Sequence, residues 1–259
     1  GSFGWYSQEM TALTDESELI SVFEPWVITP KYLNSARAAH FSLGMTTYWT
    51  DVLTTELEGY FKPIANLVDV NEKKFTLKDR DFINVDGESY GLELLTLYQP
   101  GRMYAKLGYA LSWAFKIKNG VWYFPRYDIR HSLNVLLGYE LGSGWQTSAT
   151  WAVHSGMPFT PIAGYYDRVS FDPWSPPYDR GTMEPSTVWG SRNLARLPTY
   201  HRLDLSLNRK FQVEGANVTA GVSLINAYDK KNVFYFNRDT GKAVYMLRIL
   251  PSISLKVEL

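Results

Sequence analysis

Residues 103–116 constrain the fold more than any other stretch. Met103, Ala105, Leu107, Tyr109, Leu111, Trp113 and Phe115 alternate with Tyr104, Lys106, Gly108, Ala110, Ser112, Ala114 and Lys116. Successive side chains of a β-strand point to opposite faces, so one face is apolar for roughly 40 Å. A strand in a soluble sandwich rarely needs such length. A strand tilted through a bilayer does.

The alternation recurs along the chain. It runs through Ala39 to Trp49, Leu53 to Phe61, Leu133 to Leu141, Trp145 to Val153, Leu203 to Leu207 and Val218 to Leu224. It ends in Ile253-Ser254-Leu255-Lys256-Val257-Glu258-Leu259, an amphipathic terminal strand that would be a hazard in water. Residues 3–8 read as another strand and residues 88–98 as a weaker one. The pattern predicts an all-β chain, an antiparallel transmembrane β-barrel or part of one, with about ten strands in a single unit over 1–259. Tight turns are expected near Asp51, Pro100, Gly142 and Gly215 at one end of the strands. Long connections at 9–35, 65–86, 118–127 and 157–198 fall at the other, where such barrels carry extracellular loops. The turn Asp239-Thr240-Gly241-Lys242 is the exception, short but at the long-loop end. The last strand is expected from about Ala243, with Pro251 at a bulge or an edge.

A soluble sandwich or up-and-down barrel would bury the face of Leu107, Leu111 and Phe115 in a core. Composition narrows the choice. Lys plus Arg number 26 and Asp plus Glu 26, which gives no electrostatic case for nucleic acid. The 18 Tyr, 13 Phe and 9 Trp would supply two interfacial girdles, or a carbohydrate-binding surface. Without Cys there are no disulfides, thiol nucleophiles or thiolate metal sites. No apolar run is long enough for a spanning helix. No signal peptide is present either, so a targeting segment would lie outside this chain.

The titratable residues give no catalytic constellation and call for no cofactor. His40, His131, His154 and His201 lack metal-ligand spacing and sit near the long-loop ends of strands. Ser155 beside His154 would point to the opposite face. The segment from Gly164 to Gly181 is the best ligand-contact candidate, through Tyr165, Tyr166, Arg168, Trp174, Tyr178 and Arg180. The same residues could instead pack the loop on itself. Arg202 and Asp204 share the polar face and would form a lumen pair.

Five segments resemble those of a known family. Tyr127-Asp128-Ile129-Arg130-His131-Ser132-Leu133-Asn134 is similar to the D-x-R-H-x-L-N strand start of TonB-dependent receptors. Ser155-Gly156-Met157-Pro158-Phe159-Thr160 resembles their S-G-x-P-F-T strand end. Arg196-Leu197-Pro198-Thr199-Tyr200-His201-Arg202-Leu203-Asp204-Leu205 resembles R-x-P-x-Y-x-R-L-D-L. Asn226, Asp229 and Asn232 resemble the end of the penultimate strand, and Ala39-His40-Phe41-Ser42-Leu43-Gly44 an earlier strand start. The order matches the family over about residues 35–259, in the style of Bacteroidetes-type receptors. Leu259 departs from it, where the family usually ends on an aromatic residue.

The resemblance implies a bacterial outer-membrane location and TonB-dependent uptake of a scarce, bulky solute: a siderophore, glycan or peptide. The chain would be the C-terminal part of a barrel of about twenty-two strands. The implied partners are outer-membrane lipid, the plug and N-terminal strands of the receptor, TonB acting through the plug, and a surface lipoprotein. A small barrel closed on itself as a passive channel is the alternative reading, and a barrel enzyme a further one.

Overall fold

The computed structural model describes residues 1–12, 26–71, 73–167, 185–237 and 240–258. Ten strands make its wall. They are β1 (Ser2–Gln8), β2 (Ala36–Thr50), β3 (Leu53–Val70), β4 (Phe82–Tyr98), β5 (Met103–Lys118), β6 (His131–Gly142), β7 (Trp145–His154), β8 (Tyr200–Val213), β9 (Ala216–Ile225) and β10 (Leu250–Glu258). Each pairs antiparallel with the next, and Val121–Tyr123 adds a short strand beside the end of β5. Among the described residues β1 and β10 do not pair, so the sheet is open at both edges. No helix among the described residues is long and apolar enough to cross a membrane.

Register carries the apolar face across the sheet. Tyr98, Ala105, Leu137, Ala149, Leu205, Leu224 and Pro251 lie opposite one another in turn from β4 to β10. Leu43, Leu92, Leu137, Val222, Ile253 and Leu255 on this face are all exposed, Ile253 at 85%. An apolar sheet face left open in this way is unstable in water and stable in hydrocarbon. The soluble-core reading of Leu107 therefore fails, since its side chain is exposed on the open face.

Aromatic residues bound that face on both sides. Phe3, Phe41, Phe61, Tyr90 and Trp113 form one cross-strand row over five adjacent strands. Rings of Phe3 and Phe41 stand 4.8 Å apart, and those of Tyr90 and Trp113 5.3 Å apart. Toward the tight turns the same face carries Trp49, Tyr98, Tyr139, Trp145 and Phe211. Tyr90 to Tyr98 is about 27 Å along the strand, or about 20 Å of height at a barrel's ~40° tilt, close to the ~25 Å of a membrane band.

The tight turns follow local chemistry. Glu214 and Gly215 both have positive φ, 49° and 89°, which suits a two-residue hairpin that keeps the strand twist. Pro251 lies on edge strand β10, with no strand on its far side among the described residues. Tyr104 lies over Gly138, its cross-strand partner, in space that any larger residue at 138 would fill.

Three boundaries differ from expectation. The connection placed at 65–86 is confined to 71–81, because β3 runs to Val70 and β4 starts at Phe82. A bulge between Ile64 and Leu67, with Asn66 at φ 61°, shifts the register and breaks the alternation that sequence periodicity relies on. The last strand is split. Ala243–Tyr245 pairs with Val233–Phe236, and the wall resumes only at Leu250. The Gly241 turn therefore belongs to a hairpin inside the long connection 226–249, and it is no exception to the asymmetry of the loops. The connections at 9–35, 118–127 and 157–198 also hold short paired strands: Met10–Ala12 with Trp26–Ile28, Val121–Tyr123 with β5, Ile162–Asp167 with Pro185–Trp189, and Pro158–Phe159 with Ala195–Arg196.

Candidate functional site

The polar face and the long-connection rim hold the groups that could meet a solute. On the polar face of β2–β6 a cavity of about 390 Å³ is floored by Gly44, Gly108 and Ala110 and flanked by Glu56, Glu58 and Glu93. Glu58 and Glu93 lie directly opposite each other in the ladder, an arrangement that repels. The period-2 pattern places Glu56 and Glu58 on this face, but only the pairing of β3 with β4 brings Glu93 to them.

Three buried side chains organise the rim. The first is Asp128, 1% exposed. Its Oδ1 accepts the Ala114 amide at 2.8 Å, and its Oδ2 accepts Arg130 at 3.2 Å and also Arg196. Arg196 Nη1 donates to the carbonyls of Asp128 at 2.9 Å and Gly156 at 3.2 Å. Both guanidinium groups lie over the Phe124 ring, and Arg130 also over Trp113. Ser155 Oγ accepts the amides of Arg130 at 2.9 Å and His131 at 3.1 Å. Gly156 passes so close to Leu197 that a Cβ would stand 1.5 Å from the Leu197 carbonyl oxygen. Three of the sequence segments singled out above therefore converge on one carboxylate.

The second is Asn226, which is fully buried at φ 55°. Its amide donates to Asp204 Oδ1 at 2.9 Å, and its side chain closes on Lys230 N and O at 2.9 Å each. Asn232 brackets His201 in the same way, through its N at 3.1 Å and its O at 2.9 Å. Arg202 Nη2 meets Asp204 Oδ2 at 2.8 Å. The pair is therefore tied into the end of β9, with Asp204 capping the turn that begins at Asn226.

The third is Asp69, 3% exposed, which receives the Tyr123 hydroxyl at 3.2 Å and lies 3.4 Å from Lys118 and 3.6 Å from Arg192. Arg192 in turn lies over the Tyr123 ring at 4.4 Å. This cluster has no periodic or motif trace in the sequence, because Asp69 lies at the end of β3, Lys118 ends β5, and Tyr123 and Arg192 come from two separate connections.

Of the ligand-contact candidates, Tyr165 and Tyr166 lie on the hairpin strand Ile162–Asp167 and are half exposed. Arg168, Trp174, Tyr178 and Arg180 lie outside the described residues. The histidines partner aromatic rings and the backbone: His131 Nδ1 bonds Tyr109 at 2.8 Å, His201 Nδ1 bonds Tyr228 at 2.8 Å, and His154 stacks on Tyr200 at 4.6 Å. No group of three His, Asp or Glu among the described residues could hold a metal ion.

No protein-family model and no curated protein matches the sequence. Solved structures do match. The FrpB iron transporter from Neisseria meningitidis is 14% identical with a TM-score of 0.59, the match covering 86% of this chain and 31% of that one. The ferric-catecholate import receptor Fiu from Escherichia coli K12 is 12% identical with a TM-score of 0.59, covering 98% and 32%. The pyoverdine outer membrane receptor FpvA from Pseudomonas aeruginosa PAO1 is 13% identical with a TM-score of 0.58, covering 98% and 33%. The chain therefore has the fold of part of a transmembrane β-barrel wall, of the kind that outer-membrane import receptors build. It spans about a third of the length of these structures.

Proposed function

We propose that this chain is the C-terminal barrel wall of a TonB-dependent receptor in a bacterial outer membrane, of the Bacteroidetes type, which imports a scarce, bulky solute such as a siderophore, glycan or peptide. The observation that carries this is the open ten-stranded sheet: its apolar face lies between aromatic rows, and both edges are unpaired among the described residues. A small barrel closed on itself would need β1 against β10, and they do not pair among the described residues. In this reading the apolar face meets lipid, the edges pair with the N-terminal strands, and the acidic polar face lines a lumen that holds a plug. TonB acts through that plug. The long connections are extracellular, with Tyr165, Tyr166, Arg168, Trp174, Tyr178 and Arg180 contacting solute and a surface lipoprotein able to cover them. Arg202 and Asp204 serve the wall, and no covalent chemistry is assigned.

The reading is tested in cells carrying the complete polypeptide, with labelled ferric siderophores, oligosaccharides and peptides as probes. Uptake of one class is expected to saturate and to disappear when TonB is deleted. Uptake that persists without TonB and rises linearly with concentration would establish a passive channel instead.

A further inference from the structure

The connection after β9 carries two lysines, Lys230 and Lys231, with no ion-pair partner among the described residues. Trp151 on β7 and His201 on β8 lie on the apolar face, in register with Leu203 and Val153 respectively. Tyr228 leans over them from the connection after β9. Its hydroxyl accepts Trp151 Nε1–H at 3.3 Å and bonds His201 Nδ1 at 2.8 Å. Three polar aromatic tips thus satisfy one another near the long-connection ends of both strands. That is the depth at which amphipathic rings sit between hydrocarbon and headgroups.

Asp229, Lys230 and Lys231 follow Tyr228 directly in the chain, and Arg248 joins them through Asp229. Arg248 grips Asp229 with two donors, Nε to Oδ1 at 2.6 Å and Nη2 to Oδ2, so that carboxylate is engaged. Lys230 and Lys231 have no carboxylate within ion-pair distance among the described residues. Lys230 is within electrostatic reach of His201, and Lys231 of Asp229. The backbone that presents them is fixed, since buried Asn226 closes on Lys230 and buried Asn232 follows Lys231. The local balance is two positive charges on the segment that follows Tyr228 of the aromatic cluster.

We propose that Lys230 and Lys231, which follow Tyr228 of the Trp151–Tyr228–His201 cluster, seat a phosphate-bearing lipid headgroup on the outside of the barrel. The two ammonium groups supply the charge that a phosphate complements, and the aromatic tips fix the depth of the acyl chains below it. The assignment rests on the membrane reading of the preceding subsection.

The test uses the complete polypeptide in nanodiscs of phosphatidylcholine doped with phosphatidic acid, with co-purified lipid read by native mass spectrometry. Replacing both lysines by alanine is expected to weaken phosphatidic acid retention roughly thirty-fold, from the attraction of two basic groups near an anionic headgroup. The Lys230→Arg/Lys231→Arg pair is expected to retain it, and Lys210→Ala, at the tight-turn end, to leave it unchanged. Equal retention by the alanine variant overturns the proposal. So does displacement of the lipid by inorganic phosphate at equal concentration, which would identify a free-anion site. A polypeptide that never enters the nanodisc would overturn the membrane reading instead, and that outcome is visible before any lipid is counted.

Discussion

Arg196 holds Asp128 at two points across 68 residues of sequence, through the carboxylate and through the backbone carbonyl at 2.9 Å. Asp128 closes the connection into β6, and Arg196 closes the longest connection, the one into β8. One ion pair therefore fixes the exits of two loops. Arg130 completes the cluster from the residue beside β6. Replacing Asp128 by Ala strands two guanidinium groups in a partly buried site. A loss of about 3–5 kcal/mol is expected in urea unfolding from micelles, with the Arg196→Ala loss smaller because Arg130 still pairs with Asp128.

Gly156→Ala tests the same crossing by sterics alone. A Cβ there would stand 1.5 Å from the Leu197 oxygen, which belongs to the backbone and cannot step aside. Heat-modifiable gel mobility should show the folded band depleted, while Gly164→Ala, with open space at its Cβ, folds normally.

Leu136 and Leu137 are neighbours on β6 that face opposite ways, with Leu137 in the apolar row and 43% exposed. Leu137→Arg should cost about 2–4 kcal/mol of stability in a bilayer if it falls near the midplane, and Leu136→Arg distinctly less. Equal costs would contradict the assignment of faces.

The Arg248 guanidinium holds the Asp229 carboxyl down to about 2, helped by the Ile249 amide. A carboxyl depressed in the folded state contributes stability above its ordinary value of 3.8 and loses it as pH falls from there toward 2. Carbon NMR of the Asp229 carboxyl should show a midpoint near 2, moving back toward the ordinary value in Arg248→Leu.

Tyr165→Ala with Tyr166→Ala removes two half-exposed rings from a hairpin outside the wall. On the uptake function proposed above, the amount of protein in the membrane should hold while the concentration for half-maximal uptake rises several-fold. An unchanged concentration dependence would move the solute contacts elsewhere on the rim.

Much of the wall was legible because strand alternation is a property of consecutive residues. Leu107 and Lys106 face opposite ways whatever surrounds them, and Gly215 supplies the positive φ that its turn requires. Reading failed where the local period is broken by something distant. The bulge at Asn66 moves the register of β3, so that Leu67 to Val70 continue the strand out of phase with the alternation before them. Ala243–Tyr245 alternates like wall but pairs with Val233–Phe236, a choice that only the partner strand makes. Asp69 and Glu93 carry no sequence mark because their neighbours come from other strands and connections.

The sequence by itself determined the strands, their two faces, the tight turns and the end at which the long connections lie, since each follows from residues within a few positions of one another. Only the tertiary structure decided the open edges, the Asp128, Asn226 and Asp69 clusters and the contact of Tyr228 with Trp151 and His201. Each of these depends on pairing or burial between residues far apart in the chain, where a charge gains its meaning from what the fold brings to it.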